Sequence, residues 1–117
     1  MKLTETTFQD GTPVDGYGPG FFRIGGQRYE GAVLVLPGQV AAWGGYEDTA
    51  PLIAAAGDVD VILVGTGAMM THLPPAFRSA LEQAGIGVEQ MASEQACRTY
   101  NVLLGEGRRV ALALLPA

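Results

Sequence analysis

A chain of 117 residues has room for one ordinary domain, and its 48% hydrophobic content can supply a core, which excludes wholesale disorder. Twelve acidic residues against seven basic ones give a formal net charge of −5; with Lys2 the single lysine and the arginines scattered apart from Arg108-Arg109, no basic surface for nucleic acid is expected. One cysteine, Cys97, excludes an intrachain disulfide and argues against a cysteine-based zinc centre.

Met1–Asp10 has neither the basic nor the apolar region of a secretory leader, and no apolar run approaches the roughly 20 residues of a membrane span. A soluble, cytoplasmic protein without membrane insertion is the expectation. A single domain over residues 1–117 is expected, with 1–20 as an irregular N-terminal segment. Gly and Pro punctuate Lys2–Gly20 so densely that it reads as a loop or an irregular edge strand.

From Phe21 the pattern becomes regular. Phe21–Ile24, Gly25-Gly26 and Gln27–Glu30 predict a β-hairpin, because a two-glycine turn accepts positive φ at both central positions. Ala32–Leu36 predicts a buried strand closed by Pro37-Gly38, and Gln39–Tyr46 a connection anchored by Trp43. A short helix follows, with Thr49 or Ala50 as its cap, Pro51 in its first turn, Leu52, Ile53 and Ala56 inward, and Gly57 as its stop. The β-branched run of Asp58–Val64 predicts the central strand of the fold, delivering the chain to Gly65-Thr66-Gly67.

Pro74-Pro75 suits a helix start, and Phe77, Ala80, Leu81 and Ala84 form one apolar stripe at i, i+3, i+4, i+7. Arg78 and Glu82 make an i,i+4 ion pair, and Gly85 ends the helix. Ile86–Met91 predicts a short strand. Ser93 is placed as the N-cap of a second helix, whose inner stripe is Ala96, Tyr100 and Leu103 and whose end is Gly105. Arg108–Leu115 is a final strand, apolar throughout from Val110 and so covered on both faces. Alternating strands and helices indicate one layered α/β domain.

Three constellations bear on chemistry. Gly65-Thr66-Gly67 after a strand can present backbone N–H groups to an anion, but Met70 stands where a dinucleotide fingerprint needs its third glycine. A structural turn, a small-anion or ligand pocket and a nucleotide site all remain open there. His72, the one histidine, is a general base in the ligand reading and a solvent-facing loop residue in the structural one. Arg98 and Asn101, at i,i+3 on a helix, can line a shared site or bond to neighbouring backbone. The tentative ligand-binding set is therefore Gly65, Thr66, Gly67, His72, Arg98 and Asn101. No catalytic constellation, metal site or cofactor is expected, and Cys97 reads as a small buried hydrophobe.

The runs DVILVGTGAMM, ALEQAGIGVEQM and ACRTYNVLLGEGRRVALALLP resemble the small uncharacterised α/β family that contains mitochondrial complex I assembly factor 3, the adipogenesis-associated domain proteins and many short bacterial proteins. The likeness runs from about Gly18 to the end. It implies three layers: a mixed central sheet, flanking helices and an extra N-terminal β layer. Alternation alone would give an all-parallel sheet. The family carries no established catalytic residues, and its best-understood members act through protein contacts. The resemblance thus implies a non-enzymatic protein-binding or assembly factor, with a role in respiratory complex I assembly as one possibility. The alternative is a small-molecule or anion binder, or an enzyme of unknown chemistry, with its pocket at the Gly65-Thr66-Gly67 loop. A protein partner of unknown identity and a homodimer built on the hairpin are the partner expectations.

Overall fold

The apolar runs become strands and the 3.6-period stretches become helices in the computed structural model, which describes residues 11–117. The expectation about a leader at Met1–Asp10 lies outside the described residues. In chain order the elements are β1 (Val14–Gly18), β2 (Phe21–Ile24), β3 (Gln27–Glu30), β4 (Val33–Leu36), β5 (Gln39–Ala42), α1 (Ala50–Ala54), β6 (Val61–Thr66), α2 (Pro75–Gln83), β7 (Gly87–Met91), α3 (Ser93–Gly105) and β8 (Val110–Leu115).

Two sheets form. The first is an antiparallel β1-β2-β3 meander; the second is five-stranded in the order β5-β4-β8-β6-β7. Strand β8 runs antiparallel to β4 and parallel to β6, and β6 runs parallel to β7, so the large sheet is mixed. This corrects the placement of the 58–64 strand at the centre. β8 is the middle strand, and β6 lies between it and the edge strand β7. The reason lies in the crossovers. Helix α2 packs on one face of the sheet and α3 on the other. With right-handed crossovers, helices on opposite faces carry the chain in opposite directions along the sheet. The chain therefore steps outward from β6 to β7 and then back past β6 to β8.

Alternation along the strands sorts the core into two halves. On one face Leu34, Ile62, Val64, Ala111 and Ala113 meet Phe77 and Leu81 of α2, Leu52 of α1, and Trp43. On the other face Val33, Val35, Leu63, Leu112 and Leu114 meet Ala96, Cys97 and Tyr100 of α3, together with Val14, Phe22 and Ile24 of the small sheet. The layers are thus α1 and α2, then the mixed sheet, then α3 with the β meander.

Several local expectations are refined by the structure. Val14–Gly18 is an edge strand with a bulge between Val14 and Gly16, regular enough to extend the predicted hairpin to three strands. Gln39–Ala42 is a strand and not a connection; it returns on β4 through the Pro37-Gly38 turn, with Gly38 at φ 75°. Helix α1 ends at Ala54, and Gly57 does not take the left-handed conformation expected of its stop. Gly105 is the last helical residue of α3, and Gly107, at φ 80°, supplies the left-handed exit. Ser93 is already inside α3, with Ala92 in the N-cap position, because its hydroxyl is used elsewhere.

Candidate functional site

The loop leaving β6 is built by two hydroxyls. Thr66 Oγ1 donates to the Met69 carbonyl at 2.7 Å and accepts the Thr71 N–H at 3.0 Å, which folds residues 66–71 back over the strand end. Ser93 Oγ accepts the Gly67 N–H at 2.8 Å and donates to the Leu115 carbonyl at 2.6 Å. The Ser93 N–H in turn donates to the Gly67 carbonyl at 2.8 Å. One buried serine therefore joins the end of β6, the start of α3 and the end of β8.

This explains both glycines. A Cβ on Gly65 would lie 2.7 Å from Leu114 Cδ2, 2.7 Å from Ser93 Oγ and 2.8 Å from Ser93 Cα, so Gly65 is there to admit the helix. Gly67 sits at φ 107°, where an L side chain is strained. The Gly67 and Thr71 amides are bonded within the protein. The geometry is that of a closed turn.

Arg98 and Asn101 lie elsewhere. Asn101 holds β1: its Oδ1 accepts the Val14 N–H at 2.9 Å and its Nδ2 donates to the Val14 carbonyl at 2.8 Å. Arg98 donates to the Tyr17 hydroxyl at 2.9 Å, and the buried Tyr100 hydroxyl donates to the Thr12 carbonyl at 3.0 Å. With about 1.5 Å rise per residue, Arg98 and Asn101 stand roughly 7 and 12 Å along α3 from the serine that touches the loop. The structure thus brings Gly65, Thr66 and Gly67 together and directs Arg98 and Asn101 to the β meander. His72 is exposed on the loop. Among the described residues no group of three or more His, Cys, Asp or Glu side chains is placed to hold a metal ion, and no helix is long and apolar enough to cross a membrane. Burial pushes the Cys97 thiol up to about 12, outweighing the opposing influence of Arg98, so it is no nucleophile at neutral pH.

Two features of this end of the molecule escape sequence reasoning. Met69 and Met70, at 73% and 51% exposure, are the most exposed apolar side chains of the loop. Beside it, Gly44, Tyr46, Glu47, Pro74, Ala76 and Phe77 line a groove of about 550 Å³. The Tyr46 ring packs edge-on to Trp43 and tilted against Phe77, with centroids 5.9 and 5.1 Å away. Its hydroxyl is buried with no partner in good hydrogen-bond geometry among the described residues. Burial raises its pKa, with a smaller opposing influence from the neighbouring Thr71 side chain. A methionine pair carries no helical or strand periodicity that would mark it as exposed, and the groove joins residues some 30 positions apart.

A family model described as a protein of unknown function (DUF498/DUF598) matches residues 14–115. The chain belongs to this family. An uncharacterised family relative from Rhodobacter capsulatus is 48% identical over 116 residues, 99% of this chain and 94% of that protein. NADH dehydrogenase (ubiquinone) 1 alpha subcomplex assembly factor 3 of Mus musculus is 31% identical over 99% of this chain, which spans 66% of the mouse protein's length. The DUF498/DUF598 fold is also that of a solved structure described as an outer membrane protein from Bartonella henselae, with a TM-score of 0.83 and 32% identity over 90% of this chain and 94% of that one. The family resemblance and the mixed three-layer fold that it implied are both borne out.

Proposed function

We propose that this member of the DUF498/DUF598 family is a non-enzymatic protein-binding or assembly factor whose contact region is the loop from Gly65 to Leu73. One observation carries the reading: the Thr66 and Ser93 hydroxyls and the Gly67 and Thr71 amides are engaged internally, while Met69 and Met70 are left in water. Flexible, polarisable methionines on a braced loop suit a surface that packs against another protein. The relative named as an assembly factor of NADH dehydrogenase supports the same reading and makes respiratory complex I assembly its most specific form.

The test is native affinity purification of the tagged chain from its own cells, beside a Met69→Asp/Met70→Asp variant. Wild type recovers a stoichiometric protein partner; the variant loses it and melts at the wild-type temperature, because both side chains are exposed. Recovery of the chain alone, or equal recovery by the variant, defeats the reading.

A second reading has its own observation. The groove beside Tyr46 and Phe77 is large enough for a small molecule, and the Tyr46 hydroxyl at its wall has no partner in good hydrogen-bond geometry among the described residues. Glu47 on its lining favours a neutral or cationic ligand over an anion. Thermal-shift screening addresses it, since a ligand at a hundred times its Kd adds roughly 2.7 kcal/mol of stability. A library without a hit eliminates this alternative.

A further inference from the structure

A sheet edge presents unpaired backbone groups, and proteins blunt such edges with charges, bulges or covering side chains. This fold has four edges, and three are blunted at the outward-facing positions. At β7 the Gly87 N–H bonds inward to the Asp60 carbonyl, so Val88 faces outward, and the Arg78 guanidinium donates to the Val88 carbonyl at 3.2 Å. At β1 the Gly25 N–H bonds to the Pro13 carbonyl, so Val14 faces outward, and Asn101 takes both of its backbone groups. At β3 the Gly31 N–H bonds to the Gly20 carbonyl, so positions 28 and 30 face outward, and these carry the Arg28–Glu30 ion pair.

The same alternation applied to β5 gives a different result. The Trp43 N–H bonds to the Ala32 carbonyl, which makes Trp43, Ala41 and Gln39 the inward-bonded residues against β4. Val40 and Ala42 therefore direct their N–H and C=O groups outward. Among the described residues nothing bonds to them, and the strand Gln39-Val40-Ala41-Ala42 holds no charge, proline or bulge. The cleft beside it, about 250 Å³ between β5 and the β2–β3 hairpin, is lined by residues such as Ile24, Gln27, Tyr29 and Val40 and, among the described residues, by no charged side chain.

We propose that two copies of this chain associate through β5, antiparallel about a two-fold axis at Ala41, so that the two five-stranded sheets become continuous. In this register Val40 of each copy faces Ala42 of the other, and each such pair exchanges both backbone hydrogen bonds. Ala41 meets Ala41 of the second copy in the non-hydrogen-bonded position, where Cα atoms approach to about 4.5 Å and the side chains lie close together. A two-fold pairing makes one short strand self-complementary. Charge selects this edge over the hairpin: copies with a net charge of −5 repel, and β5 adds no ionisable group to the contact. The proposal is independent of the Met69-Met70 contact region.

Sedimentation velocity over a range of concentrations is the first test. The 12.2 kDa chain is expected to show a concentration-dependent monomer–dimer equilibrium. Val40→Pro removes an outward N–H and leaves the ladder to β4 untouched. Ala42→Glu places like charges across the axis and alters only an exposed side chain. Each weakens dimerisation about tenfold or more. Ala41→Cys tests the register: the expected Cα separation lies within disulfide range, so mild oxidation gives a covalent dimer faster than the exposed control Val102→Cys. A wild-type chain that stays monomeric, variants that dimerise undiminished, or no preference for Ala41→Cys over the control overturns the proposal.

Discussion

Replacing Gly65 with alanine separates a packing glycine from a ligand-cradling one. The new Cβ would stand 2.7–2.8 Å from Leu114 Cδ2, Ser93 Oγ and Ser93 Cα. Optimal contact between carbon atoms is about 3.5–4.0 Å, so the neighbours must retreat by roughly 1 Å. Leu114 can rotate, but Ser93 Cα is helix backbone and moves only if the start of α3 moves. Overpacking of this kind costs about 1–3 kcal/mol. The displacement also loosens the bonds of Ser93 Oγ to Gly67 and Leu115, each worth about 0.5–1.5 kcal/mol. The expected loss is about 2–6 kcal/mol, a large part of the roughly 5–15 kcal/mol that holds a domain folded. At roughly 4 °C per kcal/mol for a chain of this length, the melting temperature falls by about 8 °C or more.

Urea denaturation followed by circular dichroism measures this, with Gly105→Ala as the internal contrast. Gly105 is helical and exposed, and a Cβ there would have no neighbour within 4 Å outside its own helix backbone, so alanine stabilises by about 0.5–1 kcal/mol. The same substitution thus has opposite signs at two glycines. A Gly65→Ala protein within about 0.5 kcal/mol of wild type would refute the close-packing account and return Gly65 to the list of ligand-binding positions.

Other outcomes follow from named contacts. Asn101→Leu leaves both Val14 backbone groups without their partner, costing about 1–3 kcal/mol, and speeds hydrogen exchange in β1 more than in β8; protection that is unchanged in β1 argues against the clamp. Cys97, buried and with its pKa raised to about 12, resists alkylation in the native state at pH 8 and reacts on unfolding; prompt native labelling contradicts its placement in the core. Arg109 bonds Asp60 at 3.0 and 3.3 Å and holds its carboxyl below the ordinary value. A depressed acid stabilises the fold above its unfolded pKa and loses that contribution as pH falls through the folded value. The difference between wild type and Asp60→Asn in urea titrations is therefore small, present near neutrality and absent in strong acid; a difference that grows on acidification has the wrong sign.

The strands were largely legible because continuous apolar runs such as Val61–Val64 and Val110–Leu114 have few alternatives to a sheet covered on both faces. The helices α2 and α3 were legible from their stripes. Elements whose signal is weak by composition were harder. Strand β1 is broken by glycine and a bulge, and β5 is four residues of mild hydropathy read as a connection. Strand order was not legible from alternation, because which of β6 and β8 is central depends on the faces taken by α2 and α3, a relation between distant segments.

The site is read through local motifs, and the arrangement they take in the fold has one physical origin. Ser93 before an apolar-periodic stretch satisfies every local criterion for an N-cap, and Gly65-Thr66-Gly67 after a strand satisfies those for an anion loop. In the folded chain each supplies what the other lacks. The serine hydroxyl takes the amide that would have faced an anion, and the glycine supplies the space that lets the serine approach. Arg98 and Asn101 followed the same pattern, their polarity directed to the edge of β1. Polar residues beside a strand end therefore signal function only after the backbone groups around them are counted. Here that count leaves three places unfilled among the described residues: the water-facing methionines of the loop, the buried Tyr46 hydroxyl and the outward amides of β5.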